Sequence, residues 1–292
     1  MAKEILTSVR WYENLALLSQ HCGEDDFCRM LVSTLKLISP YEHVVISAYP
    51  AAGRAFHIYN DLPSEQIAPT VERYFDGAYL LDPFYEACNK KIGSGLYRLR
   101  SLAPDKFYDT EYYKEYYAKT QLREELGLLI EVQPEVSVVV SLGIRSEDCR
   151  LSQSDLERLE VTSPLIIALC QAHWRVHLES VDFSPGEQHE QYLGEPLDIA
   201  FKNFGRDHLS ERECQIVHFI LKGHSSKSIA DVLTISADTV KAHRKHIHTK
   251  LKISSQAELF SLFLDSISLV SMGSFDDPLT LYLSQNVNKV PG

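Results

Sequence analysis

Leu209 to Leu259 reads LSERECQIVHFILKGHSSKSIADVLTISADTVKAHRKHIHTKLKISSQAEL. Ser210 with Glu213 three residues later is a capping box, in which hydroxyl and carboxylate each satisfy a backbone N–H at a helix start. Ile216, Val217, Ile220 and Leu221 follow at helical spacing, and Gly223 after Lys222 is a stop, so a helix is expected over about Glu211 to Lys222. A second, short helix from about Ser226 to Leu233 turns Ile229, Val232 and Leu233 inward. Thr234-Ile235-Ser236 is a tight turn, and Ser236 caps a third helix to about Leu251 with Val240, Ile247 and Leu251 as its apolar stripe. Short helix, three-residue turn and longer basic helix make a helix-turn-helix.

Lys241 and Lys245 lie one turn apart on the third helix, with small Ala242 between them, roughly opposite the apolar stripe. From Thr239 to Ala257 the basic residues are Lys241, Arg244, Lys245, Lys250 and Lys252, and no Asp or Glu interrupts them. A lone basic helix is commonly a solvated face. Set behind a turn and a supporting helix, the same face is suited to phosphates and base edges.

The segment resembles the LuxR-family helix-turn-helix, whose pattern is Leu-Thr-x-Arg-Glu, then Ser-Asn-Lys-Glu-Ile-Ala, then Thr-Val-Lys-x-His and Lys-Leu. This chain has Leu209-Ser210-Glu211-Arg212-Glu213, Ser225-Ser226-Lys227-Ser228-Ile229-Ala230, Thr239-Val240-Lys241-Ala242-His243 and Lys250-Leu251. It departs at Ser226 for the usual Asn, at Lys252 for the usual Gly, and at Ser255-Gln256 where Arg is common. The resemblance implies a bacterial regulator in which Lys241, Ala242 and Lys245 face base edges while Thr239, Lys227 and Lys250 approach the DNA backbone. Arg244, like Lys250, stands on the flank and is expected to add sequence-tolerant affinity. A single short helix reads too few base pairs alone, so a homodimer on a two-fold operator is expected. A fourth helix, about Ser255 to Leu269, offers Leu259, Leu262, Phe263 and Ile267 for a twin. RNA polymerase stays open as a further partner.

With 292 residues, 45% of them hydrophobic, the chain has material for two cored domains. The net charge of -11 is unevenly shared. Between Gly205 and Val270 nine Lys and Arg face seven Asp and Glu, a net of +2; the remaining 20 basic and 33 acidic residues leave −13 and discourage the rest of the chain from lying on DNA. Cysteines at 22, 28, 88, 149, 170 and 214 form no Cys-x-x-Cys pair and read as free thiols. No apolar run spans a membrane and the N-terminus lacks a signal-peptide core, so a cytoplasmic protein without membrane partners is expected.

Ahead of the basic segment, Trp11, Leu15 and Leu18, then Phe27, Leu31, Leu35 and Ile38, mark two amphipathic helices. His43–Tyr49 and Arg54–Tyr59 read as a hairpin, and Ser64 to Asn89 as helical but broken by Pro69, Gly77 and Pro83. A short strand at Leu96–Leu99, a helix from Asp109 to Glu125, strands at Leu126–Val132 and Val136–Ile144, and a long helix over about Ser152 to Glu179 complete the series. The expected class is α+β: an N-terminal α/β/α sandwich around a mostly antiparallel sheet of about five strands, with a C-terminal four-helix helix-turn-helix domain. The expected division is a ligand-sensing domain at 1–180, a linker at 181–207, the DNA-binding head at 208–270, and a loosely held extension at 271–292. The plan is similar to PAS, GAF and autoinducer-binding domains, whose sheets wall a small-molecule pocket.

A second resemblance, to the autoinducer-binding family, rests on Asp82-Pro83, Tyr97 fifteen residues on, and Gly127. It implies a small-molecule effector received by Asp82, with Tyr97 and Tyr74 as aromatic walls. The family's upstream Trp-x-x-x-Tyr is missing, since Pro69 and Arg73 stand at those spacings. Asp82 also reads as a cap for a helix beginning at Pro83, and both readings stay open. His173 and His177, and likewise His243, His246 and His248, have no third metal ligand near them in sequence, so no metal or cofactor is expected. The tyrosines at 112–117 read as packing. The acidic positions of a phosphorylated receiver are not in register. No nucleophile elbow or phosphate loop supports an enzyme fused to a DNA anchor. The remaining alternative is a first domain that only mediates protein contacts.

Overall fold

Three cross-strand rows build the core of the N-terminal part. His43–Pro50 (β1), Phe56–Asn60 (β2), Gly95–Arg98 (β3), Glu124–Gln133 (β4) and Val136–Ile144 (β5) form one antiparallel sheet in the order β2-β1-β5-β4-β3. The pairing places Val44, Leu142 and Leu126 in one row, Ile46, Val140 and Leu128 in the next, and Ala48, Val138 and Ile130 in the third. Side chains alternate faces along a strand, so these nine share one face, and all are buried. A one-residue slip would turn them all to the other face, which is why the register is strongly specified.

This computed structural model describes residues 5–51, 53–146, 150–179, 197–270 and 276–287. Its described α-helices of five residues or more are α1 (Val9–Gln20), α2 (Phe27–Leu35), α3 (Pro83–Asn89), α4 (Glu111–Glu115), α5 (Gln153–Glu179), α6 (Leu197–Asn203), α7 (Glu211–Lys222), α8 (Ser226–Leu233), α9 (Ala237–Leu251), α10 (Gln256–Ile267) and α11 (Pro278–Val287). The chain divides into two units that do not follow chain order: Met1–Ile67, Ala87–Leu102 and Gln121–Tyr192 form one, and Ala68–Glu86, Ala103–Thr120 and Leu193–Gly292 the other. Most of the expected linker lies outside the described residues.

In the first unit, α1, α2 and α5 supply Trp11, Leu18, Phe27, Leu31, Ile166 and Trp174 to the sheet's core. His173 is structural: it stacks on Phe27 with ring centroids 4.0 Å apart and its Nδ1 accepts the Gly23 N–H at 3.0 Å. Pro164 lies inside α5 without breaking it. A proline leaves the carbonyl four residues earlier without its usual donor, and here the Ser163 hydroxyl donates to the Glu160 carbonyl at 2.9 Å.

In the second unit, the expected helix from Asp109 to Glu125 is interrupted. A turn at Phe107–Asp109, the short α4 and a turn at Tyr117–Thr120 replace it, and β4 already begins at Glu124. Thr110 caps α4 by accepting the Tyr113 N–H, which starts the helix late, and Gln121 at φ 60 ends the segment. The tyrosines pack: Tyr112 stacks on Tyr116 and Tyr113 on Tyr117, around Phe107.

The extension after 270 is not loosely held where it is described. Asp277 is fully buried and Leu279 with it. The Asp277 carboxylate accepts the Gly205 N–H at 2.8 Å, the Asp207 N–H at 2.9 Å and the Leu279 N–H at 2.9 Å, so it caps α11 and ties it to the turn ahead of α7. Pro278 suits the first helical position because it has no N–H to satisfy. Replacing Asp277 by Ala leaves those donors without their acceptor. We expect Asp277→Ala to destabilise the second unit by about 1–3 kcal/mol, measured by denaturant unfolding; an unchanged midpoint would mean α11 is dispensable.

Candidate nucleic-acid interface

Each helix of the head starts on a serine. Ser210 Oγ accepts the Glu213 N–H while Glu213 Oε2 accepts the Ser210 N–H at 2.8 Å, completing the capping box of α7. Ser225 caps α8 through the Ser228 N–H and Ser236 caps α9 through the Thr239 N–H, at 3.1 and 3.0 Å. The helix ends are equally local. Gly223 closes α7 at φ 96, and a Cβ there would come within 2.8 Å of the Phe107 backbone, so both conformation and space call for glycine. Thr234 and Lys252 close α8 and α9 in the left-handed region, each at φ 55. Lys252 stands where the LuxR pattern has Gly, and a side chain there carries a steric cost of about 1 kcal/mol.

Asp238, Lys241, Ala242, Lys245 and Thr249 are exposed along one stripe of α9, opposite buried Val240 and Ile247. Lys241, Ala242 and Lys245 thus share a solvent-facing stripe, and Thr239 beside it shares a short contact with the Ser236 hydroxyl. The structure adds a carboxylate that the count from Thr239 onward missed: Asp238 Oδ1 accepts from Lys241 Nζ at 2.9 Å. Lys227 is exposed on α8. Val232, expected inward, is exposed, while Ile229 is buried as expected and Ala230 with it.

The flanking bases are engaged within the head. Lys250 Nζ donates to Glu213 Oε2 at 2.6 Å. Burial would raise the Glu213 pKa, but the bonds from Lys250 and Ser210 outweigh it and hold the carboxyl below its usual range. Arg244 donates to Gln256 Oε1 at 3.3 Å, and its partial burial lowers its pKa. Phe263 on α10 packs edge-on against Phe201 and Phe204, and Ile267 lies 3.3 Å from where a Cβ on Gly77 would stand. The apolar residues of α10, expected to await a twin, are largely covered by this chain's own second unit.

His243 and His246 acquire a neighbour that spacing did not show. One ligand atom from each, and one from the Glu213 carboxylate, lie within 4.8 Å of one another.

Of the expected effector residues, Tyr74 and Asp82 are brought together in the second unit. Asp82 Oδ2 accepts the Tyr74 hydroxyl at 2.8 Å and Oδ1 accepts the Phe84 N–H at 2.7 Å, so Asp82 does cap α3. Tyr97 belongs to the first unit, where its hydroxyl donates to the Gly93 carbonyl at 3.2 Å. Burial pushes the Asp82 pKa up to about 6, against the opposing bonds from Phe84 and Tyr74. The first unit also holds a cavity of about 10 Å³, lined by Leu35, Leu96, Leu128, Leu142, Leu159 and Ile166 among others, room for about one water.

Comparison with known proteins places these features. Residues 207–263 match the family described as bacterial regulatory proteins, luxR family. The chain is 32% identical over 197 residues, 68% of its length and 100% of the relative's, to an HTH-type transcriptional regulator in the exeN 3' region of Aeromonas salmonicida. It is 49% identical over 51 residues to the oxygen regulatory protein NreC of Staphylococcus epidermidis, a match covering 18% of this chain and 23% of that one. The VqsR LBD domain from Pseudomonas aeruginosa is similar in structure over 58% of this chain and 98% of its own, with TM-score 0.50 and 25% identity.

Two measurements test this geometry. Lys252→Gly should stabilise the protein by roughly 0.5–1 kcal/mol, because relief of the left-handed strain exceeds the entropy that glycine loses on folding; a lower melting temperature would contradict it. Asp82 has a folded pKa of about 6, above that of a free Asp. Its contribution to stability is therefore full below about pH 4 and is lost as pH rises through about 6. Asp82→Asn keeps a capping oxygen and removes the titration, so the variant should gain on the parent between those limits, by about 3 kcal/mol at most. A stability difference independent of pH would refute the shift.

Proposed function

The chain belongs to the LuxR family of bacterial regulatory proteins, and on that footing we propose that it is an operator-binding transcriptional regulator whose activity is set by a small molecule taken up in its N-terminal part. One observation carries the DNA reading: the exposed Lys241–Ala242–Lys245 stripe lies on the second helix of a turn whose caps are all local. Lysine ammoniums there reach guanine O6 and N7 in the major groove, and Ala242 lets the helix sit close. Lys227 and Thr239 approach phosphates. Two copies on a two-fold operator supply the contacts that one helix cannot. The protein works in the cytoplasm, where that DNA is, and acts by binding rather than catalysis, with RNA polymerase as a further partner.

Asp82 supports the effector reading. A buried acid with a raised pKa beside tyrosine hydroxyls is the kind of group that functional sites keep. A second reading, in which the N-terminal part mediates protein contacts alone, is favoured by Asp82 already having two donors from its own chain.

Gel shifts and native mass spectrometry test the proposal together. Lys245→Ala and Lys241→Ala should each cost about 1–3 kcal/mol of discrimination between operator and scrambled DNA. Arg244→Ala should change affinity without changing sequence preference. Intact discrimination in both lysine variants would overturn the helix assignment. Purified protein should carry a bound small molecule whose removal alters operator affinity; clean apo-protein with unchanged regulation would favour the second reading.

A further inference from the structure

We propose that Glu213, His243 and His246 form a binding site for a first-row divalent cation of the zinc class, which would brace the base-reading helix against the first helix of the head. The three residues come from two elements. Glu213 is the third residue of α7, and His243 and His246 lie one turn apart on α9, so both imidazoles fall on the side of that helix nearest α7. Their ligand atoms lie within 4.8 Å of one another. Metal–ligand bonds of about 2.0–2.1 Å in a tetrahedral arrangement need ligand atoms a little over 3 Å apart. Closing that difference takes side-chain rotation, for which the exposed His246 ring has room.

A second, independent feature points to a ligand. His243 Nδ1 is buried and has no hydrogen-bond partner among the described residues, and a buried polar atom left so is destabilising. A proton on that nitrogen needs an acceptor and a lone pair needs a donor or a metal. Glu213 is itself buried, with the Ser210 N–H and Lys250 Nζ both meeting Oε2. Oε1 is therefore the oxygen offered to a cation, and the capping box and the ion pair need not break.

The donor set selects the metal class. Two imidazoles and one carboxylate suit zinc, cobalt, nickel or copper, whereas magnesium and calcium prefer all-oxygen shells. Three protein ligands leave a position for water. Lys250 beside the carboxylate opposes a second positive charge, so the site is open to exchange rather than a permanent structural zinc site. Occupancy fixes α9 to α7 and joins the metal's affinity to the folding of the head. The proposal does not depend on whether the N-terminal part takes an effector.

The test uses the full chain, Co²⁺ alone as a spectroscopic probe, and Zn²⁺ alone for calorimetry. We expect one metal per chain, the intense visible absorption of four-coordinate Co²⁺, and a melting temperature raised by about 5 °C at saturating Zn²⁺. His246→Gln carries the argument because its side chain is exposed and the fold does not need it; it should weaken binding at least about tenfold. His243→Gln should do the same, while His248→Gln, on the same helix outside the cluster, should bind as the parent does. Equal affinity in parent and His246→Gln, or no metal-dependent rise in melting temperature, would overturn the site.

Discussion

The contact on which the DNA-binding head depends is one buried carboxylate. Glu213 closes the N-terminus of α7 through Ser210 and, through Lys250, holds the last turn of α9. A carboxylate so deeply placed is tolerable only while every donor stays in position, because breaking a buried pair leaves an uncompensated charge costing several kcal/mol. The placement of α9 on α7 is thereby coupled to a helix cap. The imidazoles of His243 and His246 lie close to the same carboxylate.

That economy divides the basic residues into two groups. Lys250 and Arg244 are turned to internal partners, as is Lys222, which pairs with Glu86 at 3.5 Å. Lys227, Lys241 and Lys245 face solvent. In a chain of net charge -11, the solvent-facing cations of the head count by where they stand rather than by how many there are. Asp238 tempers even this group by pairing with Lys241 at the surface, where an exposed ion pair is weak. The left-handed Lys252 keeps a charge at the end of α9 at a steric cost that glycine would avoid.

The second unit draws on segments far from the head in sequence. Gly77 approaches Ile267, the Lys106 N–H donates to the Gly223 carbonyl, and Asp105 accepts the Ser225 N–H at 3.0 Å. These bonds fall on the ends of α7 and α8, where helix termini leave backbone groups without internal partners. Asp82 lies on one of the same segments, in a ring of tyrosines. A change in its protonation or partners therefore acts on residues that share a unit with the head.

What the sequence determined by itself was local. The limits of α7, α8 and α9 follow from Ser210, Ser225, Ser236 and Gly223, since capping and left-handed termination act within a few residues. The strands follow from short apolar runs bounded by turn residues, and the longer ones are buried in succession rather than alternately. Only the tertiary structure decided what lies between elements. It gave Lys250 to Glu213, Arg244 to Gln256, the apolar face of α10 to Phe201 and Phe204, and a third neighbour to His243 and His246. It also assigned Tyr97 to a different unit from Tyr74 and Asp82, and ordered α11 through Asp277. Each such pairing joins residues from different elements, and a side chain's spacing along its own helix carries no information about the carboxylate, ring or backbone group that another element brings to it.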